Sequence, residues 1–296
     1  MLASLEATLP RQLAVEIILI DDGSTDGTRA WLATLDPARY RVLLNERNLG
    51  YAAANNRAIA VARGKFLALL NSDLELTPGW LEPMLAVHRS LGSRAGLIGN
   101  VQRQVRTGEI DHAGIIVGST GKPEHLRHSP AWIDARSWRL YSVPAVTGAC
   151  MLVKRALWDQ LGGFDEAYLN GGEDIDLCLR ARAAGRENAV ALRSVIRHHV
   201  SASPGRKRRD EENSRRLMLR WQREFATAAD YPTRTWCRET LQAALAAPQS
   251  RDYQTVLACL FHLLRLARAP WAATAKVVEG QQRERARWCE LFGPEP

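Results

Sequence analysis

Three short apolar runs, AVEIILI (14–20), Arg41-Val-Leu-Leu44 and Lys65-Phe-Leu-Ala-Leu-Leu70, alternate with two stretches of helical spacing, RAWLATL and Ala52 to Ala62. Runs this short and this rich in Ile, Val and Leu read as buried strands. Strand, helix, strand, helix, strand within residues 14–70 leaves little choice of architecture. Strands joined through helices run parallel, so the pattern predicts an α/β domain around a mostly parallel central sheet.

Further along, Pro78 and Gly79 introduce a helix over 80–89, and Leu97 to Val101 reads as a strand. Residues 102–142, including Gly114-Ile-Ile-Val-Gly118, read as short strands and loops added to the sheet. A strand from Ala149 to Lys154, a short helix from Ala156 to Leu161, a helix from Ile175 to Ala184 and a last strand from Ala189 to Arg197 follow. Beyond Pro204-Gly205 only helical patterns remain, over 207–228, 234–246, 251–267 and 270–290. The expected organisation is an α/β domain over 1–204 and a basic helical C-terminal extension over 205–296.

Composition narrows the function. The 296 residues suffice for a large core. Five scattered cysteines without a C-x-x-C pair argue for a reducing, cytoplasmic setting and against a structural zinc site. Residues 1–20 contain Glu6, Pro10, Arg11 and Glu16, which does not suit a signal peptide, and no apolar stretch suits a bilayer-spanning helix. The net charge is +8, and residues 182–223 alone hold twelve Arg/Lys against four Asp/Glu. Such a block suits a solvated surface, a phosphorylated substrate or anionic lipid. Zinc-finger spacing, an aromatic RNA-binding motif and a homeodomain-like helix are all missing, so nucleic acid is not the expected ligand.

Polar clusters close the apolar runs, where open parallel sheets bind ligands. Asp21 and Asp22 follow the first run, and Asn71, Ser72 and Asp73 follow the third. Glu173 and Asp174 open a later helix behind Gly171 and Gly172. Each cluster has a structural explanation as a turn or helix cap. Each also has a chemical one. A carboxylate fixed at a strand end can hold a hard divalent ion, and one at a helix N-terminus is kept ionised, as a base must be.

The segments EIILIDDGSTDGT (16–28), NERNLGYAAANNRAI (45–59), GKFLALLNSDLEL (64–76), TGACMLVKR (147–155), WDQLGGFDEAYLNGGEDIDLCLRARAAG (158–185) and HHVSAS (198–203) occur in this order. Together they resemble the family 2 glycosyltransferases, nucleotide-sugar enzymes of the GT-A fold, and within them the bacterial rhamnosyltransferase-like branch. The resemblance implies an inverting, metal-dependent hexosyltransferase that uses Mg2+ or Mn2+ and a dTDP-, UDP- or GDP-sugar. The implied acceptor is a hydroxyl of a surface polysaccharide or a lipid-linked saccharide. It places Asp21, Asp22, Asn48 and Gly50 near the nucleoside and makes Asp73 a metal ligand. Asn71 stands where the family's D-x-D arrangement has its first Asp. Asp174 takes the place of the catalytic base, with Glu173 beside it, and His198 stands near the donor diphosphate and the metal.

One departure accompanies the resemblance. Relatives open with a strand and a T-Y-N-like segment before the first helix, whereas MLASLEATLPRQL (1–13) resembles only that helix's tail. An upstream start or a truncated relative would account for it. Two other functions compete: a non-catalytic binding or scaffold protein derived from a transferase, and a sugar nucleotidyltransferase, whose glycine- and arginine-rich triphosphate loop is not found here.

Other residues receive plainer readings. Asp176, two positions past Asp174, points away from it and suits solvent exposure or structural pairing. His112, His125 and His128 lack a zinc pattern and read as loop or surface histidines. Trp132 and Trp138 fall in an acceptor-side insert or in the core, and Cys150 and Cys178 read as inert. Walker, dinucleotide and nucleophile-elbow motifs are absent. The basic run Arg206, Lys207, Arg208 and Arg209, with the apolar positions between 256 and 266, reads either as helices that pack on the α/β domain and expose their arginines or as peripheral contact with an anionic membrane on the inner face of the plasma membrane.

Overall fold

The computed structural model describes residues 1–118, 122–127, 139–199, 209–221, 230–247, 249, 252–264 and 266–293. The first elements are α1 (Leu2–Thr8), β1 (Ile17–Asp21), α2 (Thr28–Leu32), β2 (Tyr40–Leu44), α3 (Tyr51–Val61), β3 (Phe66–Leu70), β4 (Leu74–Glu75) and α4 (Leu81–Leu91). Next come β5 (Ala95–Gln104), β6 (Ile110–His112), β7 (Ile115–Val117), β8 (Pro123–His125), β9 (Leu140–Ser142), β10 (Cys150–Lys154), α5 (Arg155–Leu161), α6 (Glu173–Ala183) and β11 (Glu187–His198). The remainder is helical: α7 (Asp210–Arg220), α8 (Asp230–Ala246), α9 (Tyr253–Leu263) and α10 (Trp271–Phe292). Residues 1–13, expected to hold the end of a helix, contain α1.

Packing divides the chain into Met1–Ile115 with His125–Asn213, and Ile116–Glu124 with Ser214–Pro296. The boundary expected at residue 204 lies outside the described residues, as do Arg206, Lys207, Arg208, His128, Trp132 and Trp138.

In the first unit the main sheet runs β3-β10-β5-β11-β4, with β6 added to β5 and β9 to β11, while β1 and β2 form a separate pair. The expectation of a mostly parallel sheet needs correction. β1–β2 and β5–β11 are parallel. β10 is antiparallel to both β3 and β5, and β4, β6 and β9 are antiparallel to their partners. Apolar runs mark a strand without giving its direction, which the connection decides. β6 follows β5 through a short turn, too short for a parallel crossover, so it must return antiparallel.

The core on one face of this sheet shows why α4 forms where it does. Leu81, Met84, Val87 and Leu91 repeat at helical spacing and are buried. They meet Trp80, Ile98, Leu152, Ala191 and Ile196, with Leu5 of α1 joining the cluster. Each buried Leu, Ile, Val or Met side chain among them contributes about 1.5–3 kcal/mol by leaving water. Below α6, Leu177, Cys178 and Ala181 are buried. Asp176 is fully buried there and pairs with Arg180 at 2.8 Å, while Arg180 also donates to the Leu161 and Gly163 carbonyls. Of the two readings of Asp176, solvent exposure is thereby corrected and structural pairing holds, and Arg180 ties α6 to the turn after α5.

In the second unit α8 packs on α9 and α10 around Cys237, Cys259 and Ala273, flanked by Trp236, Leu241 and Leu263. Lys122, beside β8, pairs with Glu284 at 2.8 Å and lies over the Trp288 ring. α9 keeps a second apolar face outward, with Tyr253, Leu257, Leu260, Phe261 and Leu264 all exposed. Among the described residues no helix is long and apolar enough to cross a membrane.

Candidate active site

The turn after β1 and the segment before α3 form one structure. Asp22 accepts from the Asn45 amide at 2.7 Å and from the Leu49 and Gly50 N–H groups at 2.9 Å each. Asn48 also accepts from the Gly50 N–H, at 3.1 Å. Asp21 turns the other way and is buried, bound by Arg29 at 2.9 Å and by the Ser24 N–H. Burial alone would raise its pKa; the Ser24 and Arg29 hydrogen bonds more than offset this and hold the carboxyl below its usual range. Gly23, at φ +79°, lets the two segments touch, since a Cβ there would stand 2.5 Å from the backbone of Arg47 and Asn48.

These loops are tied to the chain just before β10. The Tyr51 hydroxyl donates to the Gly148 carbonyl at 2.7 Å, and the Tyr51 N–H donates to Asn170 at 3.1 Å. Burial, and then the charges of Asp174 and Glu173, hold the Tyr51 pKa well above its ordinary value, so the phenol stays protonated. The Gly148 N–H donates to Asp174 at 2.8 Å. One residue on, the Ala149 carbonyl accepts from the Asn71 N–H at 2.9 Å. Thr147 to Ala149 therefore links the loop before α3, the start of α6 and the segment after β3.

Glu173 and Asp174 sit in the first turn of α6 and point differently. Glu173 is buried and accepts from the Gly171 N–H at 2.7 Å. Asp174 is partly exposed and also accepts from the Ile175 N–H at 2.8 Å. Gly172, at φ +96°, permits the turn, and a Cβ there would lie 2.9 Å from the Tyr168 ring. Glu173 is thus bound back to the turn before α6, whereas Asp174 reaches across to Gly148 and stays partly exposed.

Asp73 reaches its partner through sheet register. β4 pairs with the end of β11, His198 opposite Leu74, and the His199 N–H donates to the Asp73 carbonyl at 2.9 Å. His198 Nε2 then lies 3.3 Å from Asp73 Oδ2, and its Nδ1 lies 3.4 Å from Asp111 Oδ2. Burial alone would push this imidazole down; Asp73 and then Asp111 outweigh it and raise its pKa.

Neither ring nitrogen of His198 makes a hydrogen bond of good geometry, although both are buried. A buried nitrogen facing a carboxylate oxygen without bonding it suits a shared cation. Among the described residues no group of three or more His, Cys, Asp or Glu side chains is arranged to hold a metal. One carboxylate and one imidazole still fit Mg2+ or Mn2+, which commonly take one or two protein ligands and complete their shell with phosphate oxygens and water.

Several of these residues escaped the sequence reading. Tyr51 and Gly148 lie inside the segments 45–59 and 147–155 but carry no chemical signal of their own. Asp111 had no signal at all. His112 is corrected from a loop or surface residue to a fully buried one on β6, with Nδ1 3.2 Å from His125 Nδ1. Burial, then the neighbouring His125 and His198, hold its pKa well below the usual value.

Comparison with known proteins agrees with this architecture. Residues 1–162 match the profile of Glycosyl transferase family 2. The chain belongs to that family. It is 34% identical to protein y4gI of Sinorhizobium fredii over 79% of this chain and 26% of that protein. It is 32% identical to the O-antigen biosynthesis protein RfbC of Myxococcus xanthus, over 64% of this chain and 15% of that one. The chain thus spans well under half the length of these two relatives. The N-acetylglucosaminyl-diphospho-decaprenol L-rhamnosyltransferase of Mycobacterium tuberculosis is 30% identical, over 69% of this chain and 72% of that protein. Among solved structures, GalNAc-T7 with UDP, GalNAc and Mn2+ superposes with a TM-score of 0.61 at 19% identity, covering 82% of this chain and 47% of that one. S. aureus TarS 1-349 in complex with UDP-GlcNAc gives 0.57 at 15% identity, covering 99% and 87%. The fold is the α/β GT-A type, with a central sheet and a helical C-terminal region.

Proposed function

We propose that this chain is an inverting, metal-dependent glycosyltransferase that moves a sugar from a nucleotide-diphosphate donor to an acceptor hydroxyl. The observation that carries this reading is the short span Thr147 to Ala149. It anchors Asp174 through the Gly148 N–H, and through Asn71 the segment that ends at Asp73. A base and a candidate metal ligand are thereby fixed to one piece of backbone.

Asp174 takes the proton of the acceptor hydroxyl as its oxygen bonds to the anomeric carbon, and the bond to the diphosphate oxygen breaks on the opposite face. Asp73 and His198 would hold the divalent ion, and Asn71 lines the same segment. A bound Mg2+ or Mn2+ supplies charge stabilisation to the departing diphosphate. Asn48, Gly50 and the Asp22-organised loop line the nucleoside side, while Asp21 supports that loop from within.

The finer reading is a rhamnosyl donor and a lipid-linked saccharide acceptor, supported by the name of the mycobacterial relative. Peripheral attachment to anionic membrane suits such an acceptor. Its support is the exposed face of α9 together with the absence of any Asp or Glu between residues 253 and 278, where Arg265, Arg268 and Lys276 lie.

The deciding experiment incubates the full chain with Mn2+ or Mg2+ and a panel of dTDP-, UDP- and GDP-sugars. Release of nucleoside diphosphate, with inversion seen by NMR of the transferred sugar, is expected. Release of pyrophosphate from a nucleoside triphosphate and a sugar phosphate would instead identify a nucleotidyltransferase. Donor binding without turnover on any acceptor would identify a scaffold.

A further inference from the structure

Asp111 is a buried carboxylate on β6, and among the described residues its one ion-pair partner is His198, at 3.4 Å. Burying an acid costs free energy unless a specific partner compensates it. Its placement is also unusual. β6 pairs with β5 as Gln102 opposite His112 and Arg103 opposite Ile110, so Asp111 is an extra residue in the ladder. Such bulges re-aim a side chain that regular alternation would send elsewhere. Here the carboxylate meets Nδ1 of His198, while Nε2 of the same ring faces Asp73.

We propose that Asp111 is a positioning residue. Its carboxylate, 3.4 Å from Nδ1 of His198, would take up the Nδ1 proton as a hydrogen bond once a cation is held, fix the ring, and so leave the Nε2 lone pair to a divalent cation shared with Asp73. This inference rests on the reading of Asp73 and His198 as the metal pair. The arrangement follows a general rule: a ligating imidazole donates its other N–H to a carboxylate, which sets tautomer and orientation and raises ligand basicity. His112, next in the chain, is fully buried against His125, which pins the C-terminal side of the bulge. Asp111 touches neither the cation nor the donor, so it tunes affinity for the metal and takes no part in the chemical step.

The test uses the full chain and Mn2+ alone, with free Mn2+ followed by electron paramagnetic resonance. Asp111→Asn removes the charge while nearly keeping size. The expected result is Mn2+ binding weakened about 10–100-fold, the usual cost of losing such a partner. Asp111→Glu should recover part of it, and excess Mn2+ should restore turnover of the Asn variant because kcat is untouched. Asp73→Asn serves as the reference. If it leaves Mn2+ binding intact, the assignment of the metal pair fails and the inference fails with it. If it abolishes binding while Asp111→Asn binds as wild type, the role of Asp111 alone is overturned. A fall in thermal stability of both Asp111 variants without any change in Mn2+ affinity would also overturn it, leaving a structural carboxylate.

Discussion

The Asp174 carboxylate accepts a 2.8 Å hydrogen bond from the Gly148 backbone N–H, although Asp174 opens α6 and Gly148 lies in the segment before β10, 26 residues earlier. The bond orients one carboxylate oxygen and leaves the side chain partly exposed, as a base that meets its substrate requires. Asp174→Asn keeps an oxygen able to accept from Gly148 and loses the charge. Donor affinity should stay near wild type while turnover falls about 10²–10⁴-fold. The second carboxylate oxygen, which accepts from Ile175, becomes an amide at a cost of about 0.5–1.5 kcal/mol. Steady-state kinetics beside a melting curve check both; near-native turnover in a folded variant would remove Asp174 from the base role.

Asp73→Asn should abolish the gain in donor affinity that Mn2+ confers. The variant keeps its size and its place beside β4 but gives up the anionic oxygen 3.3 Å from His198. Titration of a nucleoside diphosphate with and without Mn2+ measures that gain directly. Chelation with EDTA should bring wild type down to the level of the variant. A persisting metal increment would exclude Asp73 as a ligand.

At Gly23 the prediction is structural. A Cβ would meet the Arg47 and Asn48 backbone at 2.5 Å, and φ is +79°. Neither strand end nor loop can move without breaking the Asp22 bonds to Leu49 and Gly50. Gly23→Ala should cost at least about 1–3 kcal/mol from backbone strain. It should also weaken nucleotide binding more than Mn2+ binding, as chemical denaturation and the two titrations would reveal. Full stability with unchanged nucleotide affinity would separate this turn from the site.

α9 offers a test of membrane attachment. Tyr253, Leu257, Phe261 and Leu264 lie on one exposed face, and Trp271 beyond them is 84% exposed. An amphipathic face of this kind gains free energy by entering the interface of anionic lipid. Co-sedimentation should show binding to anionic vesicles that weakens with salt, and Leu257→Glu with Phe261→Glu should abolish it without altering donor turnover. Failure to bind either anionic or neutral vesicles would defeat the attachment.

Much of the fold was legible in the sequence, and the reason is local. AVEIILI and KFLALL declare strands because β-branched and apolar residues cluster over a strand's length. The acids after β1 and β3, and those opening α6, mark the edge where such a sheet meets its ligand. Glu173 and Asp174 were legible as a pair, but their division of labour was not. Only the packed turn shows Glu173 bound back to Gly171 while Asp174 reaches Gly148.

What tertiary structure alone decided was direction and register. β10 lies antiparallel between β3 and β5, which no periodicity could announce. The pairing of Leu74 with His198 brings Asp73 to the imidazole, and one extra residue in β6 turns Asp111 to its other side. Periodicity and composition describe neighbours along the chain. A strand pair is chosen by hydrogen bonds and side-chain packing between segments far apart in sequence, and a slip of one residue would send each of these side chains to the opposite face.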